Sequence, residues 1–91
     1  KKFIFYDIII LVVKLIEKVI RRIRKDKGYS QKELSNIIGV AQTTLSGYET
    51  NYSKPIFDTI LDIANACDYD ICLVHKKYKD KKIIIKKHNL P

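Results

Sequence analysis

The sequence predicts a mainly α domain of four to five helices, built around a helix-turn-helix and followed by a C-terminal β-hairpin. Three observations carry this expectation. Apolar residues recur at helical spacing through Val13, Ile16, Ile20 and Ile23, and again over Phe57, Ile60, Leu61, Ile63 and Ala64. Ser30-Gln31-Lys32-Glu33 is a capping box whose helix stops at Gly39, with a second short helix directly behind it. After Cys67 the pattern changes to two short β-prone runs. The 91 residues suffice for one domain. A chain of this length buries only about 60–65% of the surface its unfolded form exposes, which leaves little room for a large catalytic cleft.

The elements follow in chain order. A long first helix is expected from Tyr6 to Lys27, ended by Gly28 as a C-terminal cap. Its first half, Ile8 to Val13, is apolar nearly all round and must be covered, most simply by a second subunit. The same β-branched residues also suit a strand, so Phe3 to Val13 can be extended instead. Phe3 to Ile16 is too short to span a bilayer, which takes about 20 residues. The second helix starts at Gln31 and turns Leu34, Ile37 and Ile38 inward. The third runs from Ala41 to Thr50. Ala41, Thr44, Leu45 and Tyr48 share one side of it, and Gln42, Thr43, Ser46, Gly47 and Thr50 the other. Asn51 tolerates the left-handed conformation of a helix stop. Pro55 opens the fourth helix. Ile71-Cys72-Leu73-Val74 and Ile83-Ile84-Ile85 form the hairpin, with the polar stretch His75 to Lys82 between them. Such a hairpin is marginal alone and needs the fourth helix or a second subunit beside it. Three regions result: 1–15, an apolar extension of the first helix; 16–67, the helix-turn-helix domain; and 68–91, the hairpin and basic tail.

Charge narrows the function. The net charge of +8 points to a polyanion partner. Residues 1–30 carry nine Lys/Arg against three acids, residues 31–74 two against six, and residues 75–91 seven against one. The acidic middle thus lies between two basic ends. Two cysteines do not make a disulfide scaffold, and a reducing cytoplasmic compartment is expected. Cys67, Cys72, His75 and His88 match no common zinc spacing, and no nucleophile–base pair, phosphate loop or carboxylate pair stands out. Neither catalysis nor a cofactor or metal is expected.

Arg24, Gly28, Ser30-Gln31, Glu33-Leu34, Gly39-Val40, Leu45-Ser46, Glu49 and Pro55 stand in the register of a known pattern. Over residues 16–66 the chain resembles the Cro/cI-type (XRE family) DNA-binding domain, a lambda-repressor-like fold. The resemblance implies a DNA-binding transcriptional regulator, most often a repressor, of bacterial or phage origin and located on the nucleoid. It places base-reading residues at Gln42 and Thr43, and it pairs Arg24 with Glu49 as a structural ion pair. It puts Gln31 on a phosphate, and from there Gln31 can also hydrogen-bond Gln42 and orient it. It also puts Tyr52, Ser53 and Lys54 in the loop that touches the backbone of double-stranded DNA.

The residue chemistry agrees in part. Gln can pair with adenine N6/N7 in the major groove, Thr43 can offer its methyl or hydroxyl, and Ser46 can donate or accept. The same residues also suit a solvated helix face. Two departures thin the pattern: Ala41 stands where relatives place a Ser or Thr cap, and Gly47 where many place a base-contacting side chain. No Lys or Arg occurs between Glu33 and Ser53, so affinity must draw on two half-sites or on the basic ends. Arg21, Arg22, Lys25 and Lys27 either attract DNA at long range or form a solvated face. A strand after the fourth helix also resembles the antitoxins of Hip-type kinase toxin modules, whose C-terminal strands pair in the dimer. That resemblance implies an alternative, an antitoxin that binds its operator and a toxin protein. A homodimer is expected through the apolar N-terminal segment or the C-terminal strands, with no membrane partner. A scaffold that binds only protein is a third class.

Overall fold

The computed structural model describes residues 16–87. The expected helix start at Tyr6, the apolar segment Phe3–Val13 and His88 lie outside the described residues. Four helices and one hairpin make up the described part: α1 (16–27), α2 (Gln31–Ile38), α3 (Gln42–Glu49), α4 (Phe57–Ala66), β1 (Ile71–Val74) and β2 (Lys82–Ile85). Among the described residues no helix is long and apolar enough to cross a membrane.

Local chemistry sets the helix ends. Gly28 leaves α1 in the left-handed conformation, and its N–H returns to the Arg24 carbonyl at 3.1 Å. Ser30 Oγ accepts from the Glu33 N–H at 3.0 Å while the Glu33 carboxylate accepts from the Ser30 N–H at 2.8 Å, which closes the capping box of α2. Gly39 takes φ 77°, a conformation that costs other residues a Cβ clash, and this lets α3 turn back so soon after α2. Ala41 caps α3 with backbone alone. The fourth helix begins later than expected: Ile56 is its N-cap, and Pro55 precedes the helix instead of opening it.

The core is the meeting point of α1, α2, α3 and α4. Ile20, Leu34, Leu45, Ile63 and Cys67 are buried together, with Ile16, Ile23, Tyr29, Ile38, Val40, Tyr48 and Ala66 packed around them. Two apolar stripes are narrower than the periodicity suggests. On α2, Ile37 is exposed and Ser35 is buried in its stead, its hydroxyl donating to the Lys32 carbonyl. On α4, Phe57 is exposed while Leu61, Ile63 and Ala64 are buried. Both exceptions fall near a helix end, where no other element among the described residues covers the side chain.

The hairpin is antiparallel, with Ile71 opposite Ile85 and Leu73 opposite Ile83. Those four residues share one face, since side chains alternate along a strand. Ile71 and Ile85 are half-buried beside a cleft of about 320 Å³ that separates the hairpin from Leu61 and Ala64 of α4. Leu73 and Ile83 lie beyond it and are exposed. Polar tethers hold this region: Lys87 Nζ reaches Asp62 at 3.0 Å, Lys27 pairs with Asp68, and the Tyr69 hydroxyl donates to Asp26 at 3.0 Å.

Candidate nucleic-acid interface

The turn between the helices is braced by one buried carboxylate. Glu49, the last residue of α3, has a side chain with no exposed surface. Arg24 of α1 donates to it twice, from Nε at 2.6 Å and from Nη2 at 2.9 Å. Gln31, the first residue of α2, donates its amide at 3.0 Å. Arg21 sits at the rim, with Nε 3.6 Å from the same carboxylate. Arg24 spends its remaining Nη1 on the Tyr29 carbonyl at 2.8 Å. One anion therefore joins three helices and the connection between the first two. Burial pushes the Glu49 carboxyl up, but the hydrogen bonds from Arg24 and Gln31 and the charges of Arg24 and Arg21 outweigh it and hold it below the usual carboxylate range. Its hydrogen bond to Glu49 raises the Arg24 guanidinium above its ordinary value. Both groups stay ionised, and α3 is fixed in angle against α1 and α2.

That orientation leaves a small polar surface outward. Gln42 and Thr43 are exposed and Ser46 is half-buried. Gly47 departs from expectation. It is buried, because the loop after α3 folds back over it. The N–H groups of Tyr52 and Ser53 donate to the Gly47 carbonyl at 2.9 and 3.3 Å, and Asn51 makes the bend with φ 62°. A Cβ at position 47 would lie 2.9 Å from Ser53 Oγ and 3.7 Å from the Tyr52 ring. The glycine thus admits the loop, and the loop presents Tyr52, which is 91% exposed, beside α3. Ser53 and Lys54 follow, both exposed.

Two short helices at a tight turn, the second anchored from behind and polar in front, form a helix-turn-helix. A family model described as "Helix-turn-helix" matches residues 20–74. The chain belongs to the XRE-type helix-turn-helix family. Members of this XRE-type family are DNA-binding transcription regulators, not a class of enzyme. Over 48 residues the chain is 35% identical to the HTH-type transcriptional regulator ImmR of Bacillus subtilis (strain 168), a match covering 53% of this chain and 38% of ImmR. It therefore spans well under half the length of that curated relative. Its fold is similar to that of SinR, the master regulator for biofilm formation, in a crystal structure with DNA (TM-score 0.56, 34% identity, 59% of this chain and 87% of that chain). It is also similar to a chain of the HipA-HipB-O2-O3 complex (TM-score 0.57, 24% identity, 67% of this chain and 86% of that chain), a likeness that shows the fold alone.

Within this XRE-type frame the residues singled out from sequence fall into two groups. Gln42, Thr43, Ser46, Tyr52, Ser53 and Lys54 cluster on α3 and the loop that follows it. Arg24, Glu49 and Gln31 form the brace behind them. One amide hydrogen of Gln31 goes to Glu49, a buried carboxylate and a strong acceptor, and no hydrogen bond joins Gln31 to Gln42 among the described residues. Sequence reasoning missed Arg21 as a further donor to Glu49, and it missed the burial of Gly47. Spacing signals neither, since each depends on a side chain or loop arriving from elsewhere in the chain.

Proposed function

We propose that this chain is a sequence-specific double-stranded DNA-binding regulator of transcription, acting as a homodimer that represses by occupying a promoter. The observation that carries the reading is the outward polar face of α3, held rigidly from behind by the Arg24–Glu49–Gln31 brace. A helix of this kind enters the major groove with its N-terminal residues on base edges. Gln42 is at that end and suits adenine, while Thr43 and Ser46 suit neighbouring bases. Tyr52, Ser53 and Lys54 then meet phosphates at the groove's edge, and the second amide hydrogen of Gln31 is left for another. The DNA complex of SinR and the regulator ImmR support the same reading through similarity.

The test is selection from a randomised duplex pool at physiological salt. The expected outcome is a two-fold-symmetric motif that Gln42→Ala relaxes at one base position, with about 1–3 kcal/mol of discrimination lost there. Enrichment of no motif would refute the reading. One observation favours a second reading, an antitoxin that also binds a toxin protein: the hairpin keeps Leu73 and Ile83 exposed on an apolar face whose other two residues, Ile71 and Ile85, are half-buried. Depleting the chain from its own cells would then arrest growth, whereas loss of a plain repressor changes only transcription.

A further inference from the structure

The groove-facing surface is poor in positive charge, and the hairpin is rich in it. From Leu34 to Ser53 there is no Lys or Arg, whereas residues 75–87 hold seven lysines and a single acid, Asp80. Residues 75–84 are all exposed. The connection between β1 and β2 is nevertheless ordered. His75 Nδ1 accepts the N–H groups of Lys77 and Tyr78 at 3.1 and 3.0 Å. The Lys81 N–H donates to the Tyr78 carbonyl at 2.9 Å, and the His75 N–H donates to the Lys81 carbonyl at 3.0 Å. This closed turn fixes Tyr78, whose ring centroid is 5.6 Å from Lys77 Nζ and 5.5 Å from Lys81 Nζ. Two ammonium groups are therefore held at one ring, with Lys76 and Lys79 on the same short loop. Crowding like charges is unfavourable until a polyanion lies against them.

We infer that the His75–Lys81 turn is a second nucleic-acid contact, which grips the phosphate backbone of duplex DNA without reading its sequence. Four lysines on one ordered turn suit a line of phosphates, and each phosphate neutralised releases counterions. An anionic membrane offers similar charge. Nucleic acid is favoured because the chain belongs to a family of DNA-binding regulators and its recognition surface supplies a single lysine, Lys54, behind a helix α3 that carries no cation. The inference does not rest on base reading by α3.

The experiment measures affinity of the full chain for a duplex of arbitrary sequence against salt concentration. Each phosphate contact contributes about 0.9 to the slope of log affinity on log salt. Replacing Lys76, Lys77, Lys79 and Lys81 with Gln should lower that slope by about 2–4 and weaken binding at least about tenfold at low salt. The same four positions changed to Arg should keep the slope, and circular dichroism should show unchanged helix in both variants. An unchanged slope in the Gln variant overturns the inference, as does equal loss in the Arg variant. Loss of binding to phosphatidylserine vesicles with duplex binding intact overturns it in favour of a membrane. A chain with no preferred motif but a lysine-dependent slope would keep this inference and refute base reading; a motif with a lysine-independent slope would do the reverse.

Discussion

Glu49 shows how a single residue can decide whether the recognition helix is usable. Its carboxylate is fully enclosed, so water cannot replace a lost partner. Removing Arg24 strands a buried anion and removing Glu49 strands a buried cation; either costs about 3–5 kcal/mol. That is a large part of the 5–15 kcal/mol that typically holds a domain folded. Arg21, half exposed at the rim, should matter much less, at about 0–1 kcal/mol for Arg21→Ala. The brace also sets an acid limit. Because folding lowers the Glu49 carboxyl below its ordinary value of 4.5, its stabilisation is complete above that value. It is lost as pH falls through the lowered value in the folded chain. Denaturant midpoints measured from pH 7 down to pH 3 should therefore fall with acid for the parent chain. Glu49→Gln should start lower and lose the part of that fall that belongs to this carboxyl. An equally steep fall in both would place the acid sensitivity in other carboxylates.

Helix ends and helix faces differ in how far a sequence discloses them. The capping box at Ser30 and Glu33 and the left-handed Gly39 are local, so they are readable from four or five residues. The same logic locates a weakness in α3. Ala41 has the extended backbone of an N-cap, φ −69° and ψ 148°, but no side-chain oxygen, so the N–H of Thr44 turns to the Ala41 carbonyl at 3.0 Å and that of Thr43 has no capping side chain. Ala41 is exposed, so a hydroxyl there meets no obstacle. Ala41→Ser should stabilise the fold by about 1 kcal/mol, and the melting midpoint should rise by about 4–8 °C. No gain would mean that the Ala41 carbonyl and water already satisfy the first turn of α3 as well as a serine can. Faces depend on what arrives from afar. Gly47 reads as part of the open polar side of α3, yet the 51–53 loop covers it, and nothing in the spacing of α3 announces that loop. Ile37 and Phe57 fit their apolar stripes but stay exposed, because among the described residues no neighbour covers them. The Arg24–Glu49 pair is the converse case: the residues lie far apart in the chain, and only the family resemblance suggests them together.

Considered whole, the described chain joins a well-packed helical core to a hairpin that packs poorly. Only Ile71 and Ile85 of the two strands are even half-buried, and an open cleft separates them from α4. A lone two-stranded hairpin is marginal in water, so an exposed face carrying Leu73 and Ile83 invites a second copy of itself. A two-fold pairing of that face also suits the proposed regulator, since symmetric half-sites require a symmetric protein. The many lysines around the strands oppose endless edge-to-edge growth and favour a closed pair. Changing Leu73 and Ile83 together to Lys should therefore convert a dimer to a monomer in sedimentation experiments while leaving the helical core folded. Operator affinity should fall by far more than non-specific affinity, because coupling of the two half-sites is lost. If that variant stays dimeric, the interface lies elsewhere, and deleting Phe3–Val13 becomes the deciding comparison: a monomer then assigns the contact to the apolar N-terminal segment. If both variants remain dimeric, neither surface is the interface. If the parent chain is already a monomer at micromolar concentration, the symmetric-operator reading fails with it, and each chain must find its site by α3 and the basic hairpin alone.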